Sequence, residues 1–157
     1  MRSPFARLTS LLLLATVVSA CGNDVFSPSE ENARAEAAAK WAARPFTNYV
    51  FEMRQDCQCP EVALAWNRVE VVNGIIVKVT PVGGTVPVEP ELHPLWLTVE
   101  DLFLRLRGPH PDRNVIDIRA QYDATLGYPT QADFIYEGLF SDQTTSYFLR
   151  NAGPLTN

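Results

Sequence analysis

Histidine is almost missing from this sequence, with two among 157 residues. His93 precedes Pro94, and His110 lies between Pro109 and Pro111, so both read as loop residues. Neither has a second histidine at ligand spacing, which removes histidine-built metal centres. Cysteine is scarce as well, with three in all. The phosphate-cradling glycine loop, Gly-x-Ser-x-Gly and His-Glu-x-x-His are all absent, so hydrolase and kinase chemistry have no visible residues. Asp112, Asp117 and Asp123 lack the spacing and glycine of a calcium loop. Neither a cofactor nor a metal site is legible. Cations are outnumbered, 13 Lys and Arg against 18 Asp and Glu, which argues against nucleic acid as a partner. No apolar run reaches the roughly 20 residues of a membrane-spanning helix.

What is present begins with a leader. Arg2 and Arg7 form a positive end, and Leu8 to Val18 is nearly all apolar, with four leucines at positions 11 to 14. A charged start, a short apolar middle and small residues before a cut make a secretory signal. Val18-Ser19-Ala20-Cys21 closes it and resembles the lipobox of bacterial lipoprotein precursors. That resemblance implies a diacylglyceryl group on the Cys21 sulfur and cleavage between Ala20 and Cys21, so residues 1–20 are a signal peptide. It also implies an acylated new amine, hence palmitate-like chains. Two or three acyl chains hold a protein at a membrane stably, whereas one holds it marginally. Gly22 follows the cysteine where an Asp would imply retention at the inner membrane. The expected location is therefore the outer membrane facing the periplasm, or the extracellular surface, depending on the host envelope. Without Arg2 and Arg7, 11 cations face 18 acids and the net charge moves from −5 to −7.

After Cys21 the chain reads as one domain. Asn23 to Asn32 is polar, with Ser27, Pro28 and Ser29 at its centre, and reads as a flexible tether. Ala33 to Arg44 is alanine-rich and favours a helix that Pro45 stops, with Trp41 docking it on the domain. From Asn48 the period becomes two: Tyr49, Phe51 and Met53 alternate with Val50, Glu52 and Arg54, a strand with one buried face. It runs into Cys57-Gln58-Cys59-Pro60.

The next turn is fixed by which face stays apolar. A two-residue loop of Asn73-Gly74 pairs Val69 with Lys78 and splits the apolar residues between faces. A three-residue loop, Val72-Asn73-Gly74, pairs Val71 with Ile75 and Val69 with Val77, and is the expected form, with positive φ at Gly74.

Pro81 to Leu97 is a long proline-rich connection, longer than most loops inside a domain. Its Leu95 and Trp96 either tuck under the sheet or face a partner. Thr98 then opens the clearest helix, with Asp101 at the capping-box position, Leu97 and Leu102 as a staple, and a stripe of Val99, Leu102, Phe103 and Leu106. Gly108-Pro109 ends it. Ile116, Ile118, Ala120 and Tyr122 form one face of a further strand, and Thr130 to Glu137 and Thr144 to Ala152 supply two more. The order is helix, three strands, helix, three strands, a loose doubling of one unit. Short connections favour antiparallel pairing, and a helix with one apolar stripe covers a sheet with one apolar face. The expected fold is α+β: an antiparallel sheet with two helices on one face, spanning 33–152, with a tail from 153 to 157.

Asn48-Tyr49-Val50-Phe51, Cys57-Gln58-Cys59-Pro60, Val69-Glu70-Val71 before Asn73-Gly74, Thr98 to Phe103, and Tyr122-Asp123 with Gly127-Tyr128-Pro129-Thr130 together form a pattern. From Trp41 to Asn151 it resembles an uncharacterised family of bacterial secreted proteins and lipoproteins, a domain of unknown function. The resemblance implies an exported single-domain protein and no reaction, cofactor or substrate.

Cys57 and Cys59 are the reactive constellation. In a straight strand their Cα atoms would sit nearly 7 Å apart, at the limit for a disulfide, and a local turn closes the gap. A structural disulfide, thiol–disulfide exchange and metal binding all remain open readings. Asp56, Gln58 and Glu61 supply no cation to lower a thiol pKa, and two thiolates make half a zinc site at best. Trp96, Tyr122, Tyr128 and Tyr136 are the candidate recognition surface, against the plainer reading of aromatics that cover the sheet. The functional expectation is a lipid-anchored, non-enzymatic binding or scaffolding module, held to the membrane through Cys21 and meeting an envelope protein partner. Thiol activity at Cys57 and Cys59 is the alternative.

Overall fold

The computed structural model describes residues 27–108, 115–137 and 144–156. Leader, signal cleavage and the lipidation expected at Cys21 lie outside the described residues, as does His110.

Two helical caps set the frame. The first helix, α1 (Pro28–Ala42), starts at Ser27, whose hydroxyl accepts from the Glu30 amide while the Glu30 carboxylate takes the Ser27 amide. This reciprocal box stabilises the first turn, and Pro28 suits the first helical position. The helix thus begins five residues before the expected start, and the polar stretch read as tether is helical from Pro28 onward. In α3 (Val99–Arg107) the box is Thr98 with Asp101, as the spacing predicts, and Val99, Leu102, Phe103 and Leu106 are all buried.

Six strands form one antiparallel sheet: β1 (Tyr49–Asp56), β2 (Asn67–Val72), β3 (Ile75–Pro81), β4 (Val115–Tyr122), β5 (Pro129–Tyr136) and β6 (Thr144–Pro154). The order across it is β3-β2-β1-β6-β5-β4. Two three-stranded meanders therefore meet where β1 pairs with β6. Class and sheet match the α+β expectation. The element order adds two short pieces, a one-turn helix α2 (Glu61–Leu64) and a 3-10 helix at Pro90–Leu95. Gly153 and Pro154, expected as tail, complete β6.

Register sorts the side chains into two faces. Tyr49, Phe51, Met53 and Gln55 of β1 are buried and lie opposite Val71, Val69 and Asn67 on one side, Leu149 and Tyr147 on the other. The same face continues through Ala132 and Phe134 to Ala120 and Ile118. The apolar residues of this face and the buried faces of α1 and α3 form one cluster, so both longer helices cover one side of the sheet.

The β2–β3 hairpin corrects the three-residue loop. Val72 pairs with Ile75 across Asn73-Gly74, both at positive φ, 52° and 77°. That is the primed two-residue turn whose twist suits the strands it joins. Val71 pairs with Ile76 but Glu70 with Lys78, so Val77 is an extra residue in β3. This bulge shifts the remainder by one place and sets Val79 against Val69 on the core face. Ile75 and Val77, expected inside, are 67 % and 49 % exposed. A second shift, between Val115 and Asp117, turns Ile116 outward and away from buried Ile118.

Candidate functional site

Of the four candidate recognition residues two are buried and two lie partly buried against the core. Trp96 is 2 % and Tyr128 7 % exposed. Tyr122 stacks on Phe103 at 6.1 Å, and Tyr136 packs half-buried against the same cluster. Of the two fates open to Leu95 and Trp96, the structure takes the inward one. Gln55 helps hold them, its amide donating to the Leu95 carbonyl at 2.6 Å. The loop from Pro81 to Val88 lies along β3, with Val88 N–H bonded to Val79 O and Gly84 N–H to Pro81 O. It protects part of a sheet edge that would otherwise stay open.

Cys57 and Cys59 are joined by a disulfide at a bend after β1, with Cα atoms 5.3 Å apart. The bend supplies the shortening that a straight strand lacks. The Gln55 amide oxygen lies 3.7 Å from the Cys57 sulfur. Asp56, Gln58 and Glu61 add no positive charge beside the bridge. Among the described residues no group of three or more His, Cys, Asp or Glu is arranged to hold a metal ion.

A polar network joins α1 to α3 over the end of β1. Glu100 accepts from Trp41 Nε1 at 2.9 Å, from Arg44 at 2.7 Å and from the Tyr49 hydroxyl. Tyr49 in turn accepts from the Val99 amide. Arg44 lies 4.1 Å over the Trp41 ring. Burial pushes the Tyr49 phenol strongly upward, and the Glu100 carboxylate adds to the shift. A proton so firmly held suits a structural donor and not an acid–base catalyst at neutral pH. Nearby, Asp123 caps its own turn through the Thr125 and Leu126 amides, and the Asp123 amide donates to the Tyr128 carbonyl. Gly127 has φ +79°, and a Cβ there would sit 2.3 Å from the Ala37 carbonyl of α1. Asn48 uses its side-chain oxygen to hold the Asn73 amide of the hairpin turn. These motif residues join helices, turns and strands; they build the scaffold.

The face opposite the helices is different in kind. Its rows are set by register: Arg68, Glu52 and Arg150 across β2, β1 and β6; Arg54, Phe148, Gln131 and Gln121 from β1 to β4; Asp56, Ser146, Asp133 and Arg119 beside them. Four planar groups interleave near its centre. Arg150 lies 4.0 Å over the Trp66 ring, and Arg54 lies 4.1 Å over Phe148 and 5.6 Å from Trp66. Arg150 donates to Glu52 at 2.7 Å, Arg68 to Glu70 at 3.4 Å, and Arg119 to Asp117 at 2.8 Å. This surface escapes sequence reading because Arg54 and Phe148 meet only through the β1–β6 register. The signal in sequence is a charged residue at alternate positions of β1, which by itself marks a solvated face.

A family model described as a family of unknown function (DUF6174) matches residues 33–154. No curated protein and no solved structure matches.

Proposed function

The chain belongs to this family of unknown function over residues 33–154, and from that premise we propose that it is a lipid-anchored, non-enzymatic binding module of the cell envelope. Cys21 carries the lipid after signal cleavage, and the domain stands in the periplasm or at the outer surface. The working surface is the sheet face that α1 and α3 leave uncovered. One observation carries this reading: helices cover a single face, while the opposite face holds ordered, cross-strand charged and aromatic side chains. A sheet that needed burial on both sides would show apolar residues on both. Instead Glu52, Arg54, Arg68, Glu70 and Arg150 occupy the second face. Salt-bridged, ring-stacked side chains have already lost much of their rotamer freedom, which lowers the ordering cost of binding.

The test is made in the native host. Intact mass of the extracted protein is expected to show a chain starting at Cys21 with acyl-bearing mass added. Cys21→Ser is expected to leave the membrane fraction. Amine-reactive crosslinking of intact cells is expected to join the wild-type protein to one recurrent envelope protein. A thiol at Cys21, or crosslinked material no different from that of an unrelated lipoprotein, would overturn the reading.

A further inference from the structure

Arginine is placed four times in the described strands, at Arg54, Arg68, Arg119 and Arg150. Three of these have a carboxylate partner: Glu70, Asp117 and Glu52 respectively. Arg54 has none. It sits mid-strand in β1, half-buried, its guanidinium carbon 4.1 Å over the Phe148 ring and 5.6 Å from that of Trp66. Stacking uses the faces of that plane and leaves its N–H edge unspent. Two carboxylates share its strand and face, Glu52 two residues before and Asp56 two residues after. Glu52 is taken by Arg150. Asp56 lies about 6.8 Å along the strand and is exposed. The result is a guanidinium held beside two rings, its N–H edge without a hydrogen-bond partner among the described residues.

We propose that Arg54 is the anchor of a carboxylate-recognition site on the uncovered sheet face, gripping a Glu or Asp side chain of a protein partner. This rests on the binding-module reading and names the chemistry of its partner. A planar, pre-oriented guanidinium matches a carboxylate through two parallel hydrogen bonds. Charge complementarity selects the kind of partner. Glu52 and Asp56 flank Arg54 along β1, Asp133 lies in the row of Asp56, and the mature chain carries net −7, from 11 cations and 18 acids. A polyanion would meet these carboxylates at once. A single acid flanked by cations two residues away on an extended segment places each charge against its opposite.

The experiment uses the mature domain with the native disulfide and 15N-labelled arginine, following the side-chain Nε–H signals by NMR. The probes are a peptide acetyl-Lys-Ala-Glu-Ala-Lys-amide, the same peptide with Gln for Glu, and inorganic phosphate. The Glu peptide is expected to shift the Arg54 signal saturably, the Gln peptide at least tenfold more weakly, and phosphate more weakly than the Glu peptide. Arg54→Lys keeps the charge and loses the fork. Because it also removes the Arg54 signal, its binding is followed by backbone amide shifts of β1 and β6 in uniformly 15N-labelled protein, where tenfold weaker binding of the Glu peptide is expected. Unmoved signals of the remaining arginines in the free variant check its folding. Equal binding of Glu and Gln peptides, tighter binding of phosphate, or full affinity in Arg54→Lys would each overturn the proposal. Crosslinking of Arg54→Lys in the host separates the two readings. An undiminished adduct sinks the Arg54 site and leaves the module standing, whereas no adduct even from wild type removes the module itself.

Discussion

At the scale of single residues, the buried hydroxyl of Tyr49 and the missing side chain of Gly127 carry the clearest consequences. Tyr49→Phe leaves the Val99 amide and one Glu100 oxygen without their partner. The Glu100 carboxylate is partly exposed and can turn to water, but stranding the buried Val99 amide costs about 1–3 kcal/mol. A urea midpoint lowered to that extent is therefore expected at unchanged slope. Gly127→Ala adds a methyl against the Ala37 carbonyl and forces a left-handed φ on an L side chain. Backbone strain of that kind costs roughly 1–2 kcal/mol before the clash is counted, and thermal unfolding should fall by at least several degrees. Tyr122 gives a pH signature. Burial pushes its phenol from 10.0 up to about 12, opposed by Arg34 and assisted by Glu31 and Glu30. The folded state therefore holds the proton more tightly than the unfolded chain. Its stabilising contribution is complete below pH 10 and is lost as pH climbs from 10 through about 12. Absorbance at 295 nm is expected to show Tyr122 and Tyr49 ionising late, Tyr49 together with unfolding.

At the scale of elements, capping and turns decide. Thr98→Ala removes the acceptor of the Asp101 amide and is expected to destabilise by about 1 kcal/mol, measured by urea titration. In the hairpin Asn73 holds φ 52°. Asn73→Gly should be nearly neutral, and Asn73→Ala should cost roughly 1 kcal/mol or more. These two helices and this hairpin also show what sequence reveals and what it hides. Thr98 followed by a stripe at helical spacing is a local signal, and α3 follows from it. The start of α1 is equally local, but Ser27-Pro28-Ser29-Glu30 looks like linker until the Glu is seen to reach back to Ser27. The bulge at Val77 has no local signal at all. A ladder drawn without it favours the three-residue loop, since a bulge is chosen by how the whole of β3 must meet β2. Trp96 could be read either way from sequence because its burial depends on Gln55, 41 residues earlier, holding the segment down. The stacked face is hidden for the same reason: Arg54 and Phe148 are brought together by long-range pairing, not by any motif.

At the scale of the molecule, two meanders joined at β1 and β6 make one sheet with unlike sides. No helix among the described residues is long and apolar enough to cross a membrane. Under the proposed lipidation, the step from Cys21 to Ser27 is six residues and reaches at most roughly 20 Å. α1 packs against β4, and the charges of Arg34, Glu31 and Glu30 near its start are felt by Tyr122 at the end of that strand. The lipid would therefore hold the β4 edge nearest the membrane. The β3 edge lies five strand spacings away, about 24 Å, and both faces of the sheet stand clear at the sides. The decisive question for this molecule is which of those faces meets the partner. Photo-crosslinking amino acids placed singly at Arg68 and Gln121 on the uncovered face, and at Glu36 and Leu104 on the helix side, decide it in living host cells. Adducts to one envelope protein from Arg68 and Gln121, with none from Glu36 or Leu104, are the expected result. Adducts from the helix positions instead, or from no position, would contradict it.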